Sequence, residues 1–259
     1  MKIITAIVTP FDEKGQINYS VFDELMTWQI KNGADGVVVG GTTGEFPTLT
    51  DEEITELYSY SANQYHSQIN IYLGVGTPST SKTVKLIKRF DNLPIQGFLV
   101  VIPYYNLPPQ KGIIKHFELI AKATNRTIII YNVPKRTSSE ITITSLIKLL
   151  ENQNINMIKD ASKDKKRLKQ INKLPKSKLY LGDDSLFLWG LKNKIEGIIS
   201  VISNVDVDIM KRCIYDKRAY RIYKKSLNEI KNYVNPIGIK KYLRRRGYEV
   251  GTVRLPLLE

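Results

Sequence analysis

Short apolar runs alternate with longer amphipathic stretches along most of the chain. The runs Ile3–Val8, Gly36–Val39, Ile69–Gly74, Gly97–Ile102, Thr127–Tyr131, Asn156–Lys159, Lys178–Leu181 and Gly197–Val201 have the length and apolar content of buried strands. Between them lie helical patterns. Tyr19–Lys31 carries Phe22, Leu25, Met26, Gln29 and Ile30 at helical spacing, and Thr50-Asp51-Glu52-Glu53 reads as a capping box that opens a second helix. Further helices are expected over Ser79–Phe90, Lys111–Ala123, Thr142–Leu150, Lys165–Asn172, Asp184–Leu191 and Val205–Tyr215. Strands that alternate with helices imply βαβ units and a parallel sheet. Eight such units imply closure into a (β/α)8 TIM barrel over residues 1–216. An open doubly wound sheet is the alternative. It would usually show a glycine-rich phosphate turn after the first strand, where this chain has Val8-Thr9-Pro10-Phe11. Lys217–Val234 and Ile237–Arg246 then predict two helices separated at Asn235-Pro236, a short helical extension over residues 217–259 packed on the barrel.

A chain of 259 residues with 42% hydrophobic content can fill one barrel core. Its net charge of +14 admits nucleic acid, anionic membrane or anionic metabolites as partners. Lys, Asn and Ile are abundant throughout, however, so the charge reads as compositional drift, with no nucleic-acid partner expected. Lys240-Lys241-Tyr242-Leu243-Arg244-Arg245-Arg246 is the one basic cluster with an aromatic, and it reads as a solvated helix C-terminus, where cations are favourable. The single cysteine, Cys213, excludes an internal disulfide and a cysteine-based metal cluster. No stretch approaches the ~20 apolar residues of a membrane span, and the start lacks a signal-peptide pattern. A soluble cytoplasmic protein without a membrane partner is expected.

Barrel chemistry sits at the C-terminal ends of the strands. There the second strand meets Gly40-Gly41-Thr42-Thr43-Gly44-Glu45, the fourth Pro103-Tyr104-Tyr105-Asn106, and the fifth Tyr131-Asn132-Val133-Pro134-Lys135-Arg136-Thr137. The seventh ends at Gly182-Asp183-Asp184 and the eighth at Gly197-Ile198-Ile199-Ser200. Taken singly these are ordinary: a Gly-Thr turn is often only a loop, paired tyrosines often pack, and an acidic pair can cap a helix. The sixth strand ends in Lys159, after Ile155, Met157 and Ile158. An ammonium in such a place must be hydrated, paired or deprotonated, and a deprotonated lysine is a nucleophile toward carbonyls. No metal-binding cluster, Walker loop or dinucleotide loop appears, and no cofactor or metal is expected. His66 and His116 fall within predicted helices as surface or packing residues. A lysine accompanied by tyrosines, two threonines and an arginine suggests Schiff-base chemistry on a 2-oxo acid, in which an imine drains electrons from the neighbouring carbon and yields an enamine.

These strand-end motifs, with Ala6-Ile7-Val8-Thr9-Pro10-Phe11 and Ile158-Lys159-Asp160-Ala161-Ser162, occur in an order that resembles the dihydrodipicolinate synthase family of the N-acetylneuraminate lyase superfamily. The resemblance covers the whole barrel. It implies that Lys159 forms a Schiff base with pyruvate and that Tyr131 moves protons, with Thr42 and Tyr105 as relay partners. Tyr105 would reach the site from a neighbouring subunit. It implies that Thr43 holds the pyruvate carboxylate, Arg136 receives the carboxylate of aspartate 4-semialdehyde, Ile199 offers a carbonyl near the lysine, and Gly182 lines the substrate site. The implied product is 4-hydroxy-tetrahydrodipicolinate, on the route to lysine and diaminopimelate, made by a homo-oligomer, a dimer or tetramer. Sibling lyases of N-acetylneuraminate or 2-keto-3-deoxy sugar acids share the lysine and tyrosine. Arg136 in its Tyr-Asn-Val-Pro-x-Arg-Thr context favours a second carboxylate over a polyol tail. A degenerate, non-catalytic barrel is the remaining alternative, and the full set of strand-end residues argues against it.

Three departures from the family pattern stand out. Arg254-Leu255-Pro256-Leu257 resembles a segment that leads into a final helix, which is missing here, so the oligomeric state is open. Asp160 stands where glutamate is more usual, a change that keeps the charge. Where some members bind lysine as an inhibitor through polar residues, this chain has Phe46, Pro47, Asp51, Ile54, Pro78 and Lys82. The Lys82 charge would repel an ammonium. Weak or absent inhibition by lysine is therefore predicted; half-inhibition at submillimolar lysine in a steady-state assay would refute it.

Overall fold

The computed structural model describes residues 1–259. Its eight strands, β1 (Lys2–Ala6), β2 (Gly36–Val39), β3 (Ile71–Gly74), β4 (Gly97–Val101), β5 (Thr127–Asn132), β6 (Ile155–Asp160), β7 (Lys178–Leu181) and β8 (Gly197–Ser200), follow one another around a closed parallel barrel. The helices are α1 (Tyr19–Lys31), α2 (Asp51–Tyr65), α3 (Thr80–Phe90), α4 (Gln110–Ala121), the single turn α5 (Pro134–Thr137), α6 (Ile143–Leu149), α7 (Lys165–Asn172), α8 (Phe187–Lys192), α9 (Ser203–Tyr215), α10 (Ala219–Ile230) and α11 (Ile237–Arg245). The expected (β/α)8 architecture is present. Pairing of β1 with β8 closes the sheet, so no strand edge is left open.

Side-chain alternation divides the apolar residues into two sets. Inward-facing Ile4, Val38, Leu99, Ile129, Met157 and Ile199 fill the barrel, and the larger cluster lies between the strands and the helices. The inward set continues upward into Tyr131. In β6 the alternation is interrupted. Ile128 pairs with Ile155 but Ile129 pairs with Met157, so Asn156 is an extra residue that shifts the register. Ile155 therefore packs outward although Met157 packs inward.

Several boundaries differ from the sequence pattern for identifiable reasons. The first strand was expected to reach Val8 but leaves the sheet earlier, because the Val8 N–H donates to the Asn204 side chain at 3.1 Å. The stretch expected as one helix over Asp184–Leu191 starts as a 3-10 turn at Asp184–Leu186, with Asp183 capping it through the Ser185 N–H. α2 opens with the expected capping box, in which Thr50 and Glu53 bond each other's backbone N–H. The basic run at the end of the chain needs correction: Lys240 is fully buried. Only the later part of that run is a solvated helix end. Residues beyond α11 form no further helix.

The top of the barrel is crowded enough to demand glycine. A Cβ on Gly74 would lie 2.1 Å from the Gly40 carbonyl oxygen, and neither backbone can yield without breaking the β2–β3 end. Gly74→Ala is expected to destabilise the fold by about 1–3 kcal/mol. A urea denaturation midpoint equal to that of the parent protein would contradict this packing.

Candidate active site

Lys159 stands on β6 directly opposite Tyr131 on β5. Both face the barrel interior near its upper rim. The Lys159 ammonium lies 4.2 Å from the centre of the Tyr131 ring, with the lysine only 5% exposed. The next residues on each strand, Asp160 and Asn132, face outward and bond each other at 2.9 Å. Arg167 of α7 donates to the same Asp160 carboxylate at 3.0 Å and approaches Glu140 at 3.5 Å. This buried network behind the lysine ties β5, β6 and α7 together, and it restrains the backbone from which Lys159 projects.

Burial draws the Lys159 ammonium down to about 8; Asp184 opposes the shift and Arg136 adds to it. Burial also raises the Tyr131 phenol, although the Arg136 charge and the Thr42 hydroxyl beside it pull the other way. Near neutral pH the site therefore holds a lysine that loses its proton easily and a tyrosine that keeps its own. Asp184 is buried yet well satisfied. Its carboxylate accepts from the Ser200 hydroxyl at 2.5 Å and from the Val201 and Ile202 N–H groups at 2.9 and 3.2 Å. Those bonds fix the end of β8, where Ile199 faces the interior. The Tyr223 hydroxyl of α10 donates to the Asp184 carbonyl at 2.6 Å, a clamp supplied from the C-terminal part of the chain.

Above Tyr131 opens a cavity lined by Gly41, Thr42, Tyr104, Val133, Arg136 and Thr137, among others. Thr43 is buried beside it, and its hydroxyl accepts a hydrogen bond from the Asn235 carboxamide at 3.0 Å. Arg136 is exposed at the cavity edge and donates to the Asn235 carbonyl at 3.4 Å. One residue of the segment before α11 thus touches both an expected carboxylate holder and the entrance arginine. Asn235 was read from the sequence only as a break between helices. The signal available was weak: an Asn-Pro pair marks a turn, and nothing local says that it returns to the barrel mouth.

The expected residues do not all converge within one chain. Lys159, Tyr131, Thr42, Thr43, Arg136 and Ile199 gather at the barrel top. Gly182, at the end of β7, faces Ala161; an added Cβ there would come within 2.8 Å of the Ala161 Cβ. Tyr105 stands apart, 93% exposed, with its backbone in the left-handed region at φ 70°. Tyr104, not Tyr105, lines the cavity. His116 is a buried packing residue whose Nδ1 lies 2.9 Å from the Thr80 hydroxyl.

A family model described as the dihydrodipicolinate synthetase family matches residues 1–259. The 4-hydroxy-tetrahydrodipicolinate synthase of Oceanobacillus iheyensis is 35% identical over 269 aligned residues, covering 100% of this chain and 91% of that protein. The enzyme of the same name from Heliobacterium modesticaldum is 38% identical, covering 100% of this chain and 90% of that one. Among solved structures, a dihydrodipicolinate synthase from Bacillus anthracis superposes with a TM-score of 0.95 at 34% identity, covering 99% of this chain and 92% of the other.

The depressed Lys159 value has a consequence for stability. Unfolded, this lysine titrates at its ordinary value of 10.5; folded, at about 8. Between those values the unfolded chain holds the extra proton, so rising pH favours the folded state. Lys159→Met is accordingly expected to be more stable than the parent protein at pH 7, by on the order of 1–3 kcal/mol. The difference should shrink as pH climbs from about 8 toward 10.5. Denaturation of both proteins at several pH values checks it; a constant difference would mean that Lys159 titrates normally.

Proposed function

The chain belongs to the dihydrodipicolinate synthetase family, and from that premise we infer that it is a 4-hydroxy-tetrahydrodipicolinate synthase that condenses pyruvate with L-aspartate 4-semialdehyde on the route to lysine and diaminopimelate. One observation supports the chemistry above all: a buried lysine whose ammonium sits 4.2 Å from the ring of an inward-facing tyrosine at the C-terminal rim of the barrel.

The reaction would run as follows. The neutral Lys159 amine adds to the pyruvate ketone, and the carbinolamine loses its oxygen as water, for which Tyr131 supplies a proton. The resulting iminium acidifies the pyruvate methyl group. Loss of a methyl proton gives the enamine, whose carbon attacks the aldehyde of the second substrate; the aldehyde oxygen takes up a proton and becomes a hydroxyl. The substrate's own amine then displaces the lysine at the imine carbon, which closes the ring and returns Lys159 as a free amine. Tyr131 and Thr42 form the proton path within the chain. Thr43 is suited to the pyruvate carboxylate, with Asn235 fixing its hydroxyl, and the Ile199 carbonyl is suited to a place beside the lysine. Arg136 at the cavity edge offers a planar fork for the carboxylate of the aldehyde substrate.

Tyr105 supports a homo-oligomeric enzyme. Its phenol is exposed on a left-handed backbone, and Leu107 two residues on is exposed as well, which leaves this loop free to meet another copy. A biosynthetic step between small soluble metabolites supports a cytoplasmic enzyme, and no helix is long and apolar enough to cross a membrane.

Steady-state assays test this reading. The protein should turn over pyruvate with aspartate semialdehyde and leave N-acetylmannosamine unused; the reverse preference would make it a sibling lyase. Tyr131→Phe should lower kcat by about 10²–10⁴-fold. Arg136→Met should raise the KM for aspartate semialdehyde about ten- to a hundredfold with little change in the KM for pyruvate. Equal effects on both substrates would remove Arg136 from its assigned place.

A further inference from the structure

The turn that carries Thr42 and Thr43 has little of its own to hold it in shape. Gly40, Gly41 and Gly44 contribute no side chains, and Gly40 adopts φ +68°. At its end Glu45 is buried and sits in the left-handed region at φ 55°. A non-glycine residue stays there only when its surroundings over-determine it. The Glu45 N–H donates to the Thr42 carbonyl at 3.2 Å, and its own carbonyl accepts from the Thr48 N–H and hydroxyl, each at 2.9 Å.

The side chain of Glu45 is anchored from the far end of the sequence. The Lys240 ammonium of α11 lies 2.7 Å from its carboxylate, with side-chain exposures of 0% and 1%. The second carboxylate oxygen accepts from the Arg254 N–H at 2.9 Å. Lys240 also donates to the Thr252 carbonyl at 3.0 Å and lies 4.2 Å from the centre of the Phe11 ring. The Arg254 guanidinium stacks on the same ring at 4.1 Å and donates to the Thr48 carbonyl at 3.0 Å. An apolar pair of similar volume would fill this space with less electrostatic cost. What two buried charges add is direction: the Lys240 ammonium holds one carboxylate oxygen and the Arg254 N–H the other.

We propose that Glu45 and Lys240 are positioning residues for the Thr42–Thr43 turn, through which α11 and residues 252–254 set the affinity for pyruvate. The proposal rests on the synthase reading above. Neither residue touches the substrate; both act by holding the backbone that presents the two hydroxyls.

The test uses Glu45→Gln, which keeps the shape and removes the charge, Lys240→Met, and the double variant. Thermal stability, kcat and the KM of each substrate are measured. Each single variant should lose stability and raise the pyruvate KM about ten- to a hundredfold, the loss expected when a reacting group is misplaced by about an ångström. The KM for aspartate semialdehyde should change much less. The double variant leaves no orphaned charge, so it should regain stability while its pyruvate KM stays high. A purely structural pair would move both together, so a double variant that recovers stability and pyruvate KM alike overturns the proposal. So does a folded Glu45→Gln with the parent's pyruvate KM. If the single variants do not fold, the double variant decides alone. An inactive parent protein would instead sink the synthase reading, an outcome distinct from active variants with unchanged pyruvate KM.

Discussion

The structure depends on keeping an amine inside a closed barrel without a carboxylate bonded to it. Parallel register sets Lys159 across from Tyr131, and barrel closure turns both inward. The lysine then faces an aromatic ring instead of bulk water, and desolvation weakens its hold on its proton. Asp184 opposes that shift, but its carboxylate is occupied by Ser200 and two backbone N–H groups. It influences the lysine from a distance without capturing it. A direct ion pair would have restored an ordinary ammonium.

Much of this arrangement was legible in the sequence because it is periodic. Apolar runs alternating with amphipathic stretches give strands and helices in order, and the barrel rule converts strand ends into site positions. Lys159 illustrates the limit of local reading. Its apolar neighbours do not separate a nucleophile from a misfit; its place on the sixth strand, across from Tyr131, is what draws attention to it. Asn156 shows a smaller limit: the register shift beside it is invisible in composition, yet it decides which residues of β6 face inward.

What was not legible is what depends on contacts between distant parts of the chain. Asn235 reaches Thr43 across 192 positions. Lys240 was grouped with a basic helix end because its neighbours in sequence are cationic, whereas in space its neighbours are Glu45, Phe11 and Thr252. Tyr223 and Asp184 meet in the same way. These contacts bring the segment after β8 to the barrel top: α10 clamps the turn after β7, and α11 with the chain beyond it contacts the turn after β2. The Arg167–Asp160–Asn132 network was hidden for another reason. Its members face away from the cavity, and rules about strand ends point only inward.

In the proposed reaction Lys159 is the covalent nucleophile toward pyruvate. Borohydride reduction of the protein in the presence of pyruvate, followed by proteolysis and mass mapping, tests it directly. A single reduced pyruvate adduct on the peptide that carries Lys159, absent when Lys159→Arg is treated identically, is the predicted result. Folded parent protein with no adduct, or an adduct on another lysine, would contradict the account.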